Sequence, residues 1–129
     1  MATGFPASTG DVLSAAMYNG LVTFDVEADK TDDYTLVLND SYQNLIPMNK
    51  ATAVALKIPT NASAAIPVGT VITVLNKGVG AVTISAVTSG TTTVLSAGAV
   101  AAAPTLAQYK SAACIKTATD TWYVVGAIS

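Results

Sequence analysis

From Tyr34 onward the chain alternates apolar and polar positions in short runs, each closed by residues that favour turns. That is the pattern of half-buried β-strands. Eight runs are predicted as strands: Tyr34–Leu38, Asn44–Met48, Ala53–Ile58, Thr70–Asn76, Ala81–Val87, Thr91–Ser96, Gln108–Ala118 and Thr121–Ile128. Asn39-Asp40-Ser41, Asn76-Lys77-Gly78, Thr88-Ser89-Gly90 and Thr119-Asp120 supply turn chemistry between them, mostly at hairpin length. In Ala81–Val87 the parity sends Val82, Ile84 and Ala86 inward and Thr83 and Ser85 outward. Thr70–Asn76 is apolar on both parities, with Val71, Thr73 and Leu75 on one and Ile72 and Val74 on the other, which predicts a strand covered on each side. Two longer connections, Pro59–Gly69 and Ala97–Ala107 with Pro104, are expected to cross between sheets or follow a sheet edge, because proline lacks a ladder donor. The expected fold is all-β: an antiparallel, jelly-roll-like β-sandwich of about eight strands. No unit recurs at constant length, so neither a solenoid nor a propeller is expected.

The start of the chain reads differently. Asp11 can cap a short helix over Val12–Asn19 that Gly20 closes, with Val12, Leu13, Ala16 and Met17 on one face. About two helical turns do not hold alone, so this arm is expected to dock. Phe5, Pro6, Val12, Leu13, Met17 and Tyr18 are its candidate contact residues, either toward a partner or neighbouring subunit or over the module's own core. Asp25–Asp33 holds five of the eight acidic residues and reads as an exposed connection. Residues 1–30 are therefore taken as arm and acidic linker, and residues 31–129 as a β-module.

Composition sharpens this picture. Only 11% of the 129 residues are charged while 51% are hydrophobic, against about a quarter charged in an ordinary soluble domain. Outward strand positions carry Thr, Ser and Ala more than Lys or Glu. Such a surface is expected to be hidden against other protein subunits. The length suits one domain. A net charge of −2, six lysines and no arginine leave no basic footprint for nucleic acid. A spanning helix needs about 20 consecutive apolar residues, and no run approaches that, so no membrane partner is expected. The first residues, MATGFPASTGD, lack the basic and apolar regions of a secretory leader, which points to synthesis in a cytoplasm.

The search for chemistry comes back empty. With no histidine, His-based triads are impossible, and with one cysteine zinc is not expected. Cys114, between Ala113 and Ile115, reads as a small buried hydrophobe. The acidic run matches a calcium loop at Asp25, Glu27 and Asp29 but fails at Lys30 and Leu36, where glycine and glutamate are needed. Gly78-Val79-Gly80 follows a strand as a dinucleotide fingerprint would, yet a β-run and not a helix comes next, so it reads as a turn. Asn61-Ala62-Ser63 has the form of a glycosylation acceptor and reads as a polar loop. Trp122 and Tyr123 are neighbours on a strand and point to opposite sides, with Trp122 expected in the core. The chain is expected not to be an enzyme, and no cofactor, metal or catalytic residue is assigned.

The order of motifs is nonetheless distinctive. Tyr34-Thr-Leu-Val-Leu-Asn-Asp-Ser41, Asn44-Leu-Ile-Pro-Met-Asn49, Leu56-Lys-Ile-Pro-Thr-Asn61 and Ile66-Pro-Val-Gly-Thr70 come first. Asn76-Lys-Gly-Val-Gly-Ala-Val-Thr-Ile84, Gln108-Tyr-Lys-Ser-Ala112 and Thr117-Ala-Thr-Asp-Thr-Trp122 with Gly126 follow. Over roughly residues 33–129 this resembles a β-module of structural proteins in tailed bacteriophages, which recurs in capsid decoration, fibre and tail-associated proteins. Gly4-Phe-Pro-Ala7 with Gly10-Asp-Val-Leu13 resembles the start of phage virion proteins, where arms attach a module to its carrier. The resemblance implies a homo-oligomeric virion component, commonly trimeric, with no catalytic residue. Without a shaft or coiled-coil heptad, the size suits a decoration or cement protein that binds the major capsid protein at the capsid surface. A short head or tail fibre module for receptor or glycan attachment is the alternative.

Overall fold

The computed structural model describes residues 25–96, 99–100 and 103–128. Strand formation follows the parity of the sequence. In Val54–Ile58, Val54, Leu56 and Ile58 are buried while Ala55 and Lys57 are half-exposed, and Ile72, Val74 and Asn76 do the same in Val71–Asn76. Eleven strands result among the described residues: β1 (Asp25–Val26), β2 (Tyr34–Thr35), β3 (Asn44–Met48), β4 (Val54–Ile58), β5 (Val71–Asn76), β6 (Val82–Ala86), β7 (Thr93–Ser96), β8 (Ala99–Val100), β9 (Thr105–Leu106), β10 (Ser111–Ala118) and β11 (Thr121–Gly126). A single helical turn, α1 (Asp40–Gln43), leads directly into β3.

The strands form a seven-stranded sheet, ordered β1-β3-β5-β10-β11-β7-β8, and a four-stranded sheet, ordered β2-β4-β6-β9. Inward residues of both sheets make one continuous core, from Leu36, Leu56 and Ile84 on the smaller sheet to Ile46, Val74, Cys114 and Trp122 on the larger. The all-β expectation holds. The antiparallel one does not, and neither does the count of eight strands. Pairs β1–β3, β3–β5, β2–β4, β4–β6 and β7–β11 are parallel, while β5–β10, β10–β11, β6–β9 and β7–β8 are antiparallel.

The physical reason lies in the connections. Parallel neighbours need a crossover of a dozen or more residues, and here the crossover is a strand of the opposite sheet. The chain passes from β3 to β4 and back to β5, and from β4 to β5 and back to β6. Short turns that read as hairpins therefore step between layers, and only the Thr119-Asp120 turn joins strands as the sequence suggested. The two long connections do cross between sheets, from β4 to β5 and from β8 to β9. Winding of this kind has the character of a coil. Starts of β1, β3 and β5 at residues 25, 44 and 71 are unevenly spaced, which is why no repeat of constant length marks it.

Two local features fix the winding. Asn76 is buried at the end of β5, donates from Nδ2 to the carbonyls of Gly80 (2.9 Å) and Leu106 (2.8 Å), and accepts from the Gly78 N–H at 3.0 Å. Its side chain thus ties the β5–β6 turn to β9. Gly78 and Gly80 lie where the backbone at Lys50 and Thr52 passes, and a Cβ on either would overlap that backbone. The Gly-Val-Gly signal is a close approach of chain to chain, in line with its reading as a turn.

Part of the acidic run is not a free linker. β1 pairs with β3, the Glu27 N–H donates to Leu45 O at 3.0 Å, and Lys30 bridges to Met48. Asp29 and Asp32 tether the segment to Lys77 and Lys50 at 2.9 and 2.8 Å. These lysines hold both carboxyls below the usual range for aspartate, chiefly by hydrogen bonding.

Candidate interaction face

The two sheets differ on their outer faces. On the smaller sheet Thr35, Ala55, Lys57, Thr83 and Ser85 point outward, a mixed polar surface with a charge at its centre. On the larger sheet the outward positions of β3, β5, β10, β11 and β7 carry no charged residue. Strand register stacks them in rows. Val71 faces Ile115, Ile115 faces Tyr123, and Tyr123 faces Leu95. In the next row Leu45 faces Thr73, Thr73 faces Ala113, and Ala113 faces Val125. Val71, Tyr123 and Val125 remain 41%, 43% and 48% exposed, and Thr73, Leu75, Leu95, Ala113 and Ile115 are half-buried. A contiguous sheet face of this kind is a candidate interaction surface, whereas scattered surface apolar residues are not.

The second parity of β5 did signal this face. Val71, Thr73 and Leu75 predicted cover on both sides of the strand, but among the described residues only the Ile72 and Val74 side is fully buried. Trp122 lies in the core and Tyr123 on the face, as strand alternation requires. Cys114 is buried, and burial pushes its thiol up to about 12, in keeping with an inert core residue.

Charged groups gather away from the face. Tyr34 Oη donates to both Asp40 oxygens at 2.9 Å, Asp40 Oδ2 accepts the Val37 N–H at 2.7 Å, and Lys30 Nζ lies 4.3 Å from the Tyr34 ring centroid. Glu27 joins this cluster with Oε1 at 3.0 Å from Lys30 Nζ, while its buried Oε2 has no hydrogen-bond donor. Burial, then the facing Asp40, push the Glu27 carboxyl up to about 7 against the pull of Lys30. Protonated, Oε2 has a hydrogen to give Asp40. The same burial, with Asp40 beside it, raises the Tyr34 phenol above its usual value.

Among the described residues, no group of three or more His, Cys, Asp or Glu could hold a metal. Nor is any helix there long and apolar enough to cross a membrane. Compared with protein families, curated proteins and solved structures, the chain gives no match. The sheet face therefore stands on its own geometry.

The arm residues Phe5, Pro6, Val12, Leu13, Met17 and Tyr18 lie outside the described residues. Sequence reasoning missed Lys116, an inward position of β10 that is buried at 1% exposure. Parity alone would have found it: Ala112, Cys114 and Lys116 share one side of the strand.

Proposed function

We propose that this chain is a non-enzymatic structural subunit of a virion, a decoration or cement protein that binds the outer capsid surface as a homotrimer and stabilises it. The observation that carries the self-association is the uncharged outer face of the larger sheet, centred on Val71, Ile115, Tyr123 and Val125. Burying such a face gains about 25 cal/mol per Å² of apolar area, and many equivalent copies on a shell add by avidity. The two sheets around one core read as a sandwich-type body, a shape suited to presenting one broad face. Its partners on this reading are further copies of itself and the major capsid protein, with residues 1–24 as the tether. The virion assignment itself rests on the order of sequence motifs.

A second reading, a short head or tail fibre module for receptor or glycan attachment, draws on Tyr109. That ring is 80% exposed at a positive φ of 66°, at the end of the connection preceding β10. An exposed aromatic held by strained backbone suits a ligand contact.

Cryo-electron microscopy of particles carrying the protein separates the two. Density on the capsid surface supports decoration, and density confined to the tail tip overturns it. Deleting residues 1–24 should release the protein from shells, and full occupancy by the truncated chain would remove the arm from the mechanism.

A further inference from the structure

Lys116 Nζ donates to Asn61 Oδ1 at 2.7 Å and to Ile66 O at 2.6 Å, and lies 5.9 Å from the Trp122 ring centroid. No carboxylate among the described residues lies within ion-pair distance of it. Asn61 is gripped from its backbone as well: its N–H donates to Asp120 Oδ1 at 2.6 Å, and the same oxygen accepts from the Thr92 hydroxyl at 3.3 Å. A primary amine from β10 thus meets a carboxamide of the β4–β5 connection beside Trp122, while the Asp120 carboxylate holds the backbone of Asn61.

Desolvation holds the Lys116 pKa below the usual lysine value while the field of Asp120 opposes it. Uncharged lysine is a nucleophile. Fixed contact with a carboxamide supplies the proximity that an amide exchange otherwise lacks.

We propose that Lys116 and Asn61 close an intramolecular isopeptide bond, an autocatalytic cross-link between β10 and the β4–β5 connection. The Nζ lone pair adds to Asn61 Cγ, and the Nζ–Cγ bond forms. A proton passes from Nζ to the departing Nδ2. The Cγ–Nδ2 bond breaks, ammonia leaves, and Oδ1 returns as the carbonyl of the new amide. Nothing is oxidised or reduced. The chain has one cysteine and so no internal disulfide, which gives such a bond a mechanical use. The inference is independent of any virion role.

Intact-mass spectrometry of the folded full-length protein tests it. The expected mass is about 17 Da below that of the sequence, the loss of one ammonia. Trypsin should then yield residues 58–77 joined to residues 111–129, uncut after Lys116. Lys116→Arg and Asn61→Ala should both show the full mass. Full mass in the aged wild-type protein, with a free peptide ending at Lys116, overturns the proposal without recourse to any variant.

Discussion

Replacing Glu27 by glutamine should stabilise the protein at neutral and alkaline pH and leave it unchanged in acid. The Glu27 carboxyl ionises near 4.5 when exposed and near 7 in the fold, because it is buried and faces Asp40. Between those values the folded state holds a proton that the unfolded chain has released. Stability from this group is therefore complete below pH 4.5, declines as pH rises to 7, and is flat above it. At about 1.4 kcal/mol per pH unit of gap, less what the Lys30 contact and solvent at the cluster's rim recover, the loss is roughly 2–3 kcal/mol. Glutamine keeps the shape and can donate to Asp40 at every pH. Asp29 and Asp32 work with the opposite sign, their stabilisation being lost as pH falls below about 4, so they leave the window clear. Urea denaturation followed by fluorescence of Trp122, the one tryptophan and a core residue, reads the effect. Parallel stability profiles for wild type and Glu27→Gln between pH 4.5 and 7 would refute the reasoning.

Other outcomes follow from the interior. Asn76→Ala should cost about 2–3 kcal/mol in the same urea assay, since it strands the Gly80 and Leu106 carbonyls and the Gly78 N–H. Gly80→Ala drives a Cβ onto the Thr52 carbonyl and should cost about 1–3 kcal/mol, with thermal unfolding as the check. A thiol reagent at pH 8 should label Cys114 only in denaturant, and rapid labelling of the folded protein would contradict its burial.

Strand positions were legible because parity is a local property. β3 falls where its residues predicted it, and β4, β5 and β6 differ from expectation only at their ends. Partner choice was not legible. Asn76-Lys77-Gly78 suits a tight turn whether the chain doubles back within a sheet or steps to the other layer, and here the buried Asn76 amide and the close pass of Lys50 and Thr52 decide for the step. The two-residue strands β1, β8 and β9 were missed because so short a run has no periodicity to read. β1 was further hidden by its acidic surroundings, since Asp25 and Glu27 look solvated until the pairing with β3 is seen. The candidate face was half visible, in the second apolar parity of β5. Its extent across β10, β11 and β7 needed the register that sets Val71, Ile115, Tyr123 and Leu95 in one row.

That row offers the most direct measurement. Multi-angle light scattering should find the full-length protein as a trimer, and Tyr123→Lys with Val125→Lys should convert it to monomer with an unchanged circular dichroism spectrum. Both side chains are exposed in the single chain, so lysine there leaves the core intact and penalises only association. A wild-type monomer, or a double variant that stays trimeric, would contradict self-association through the outer face of the larger sheet.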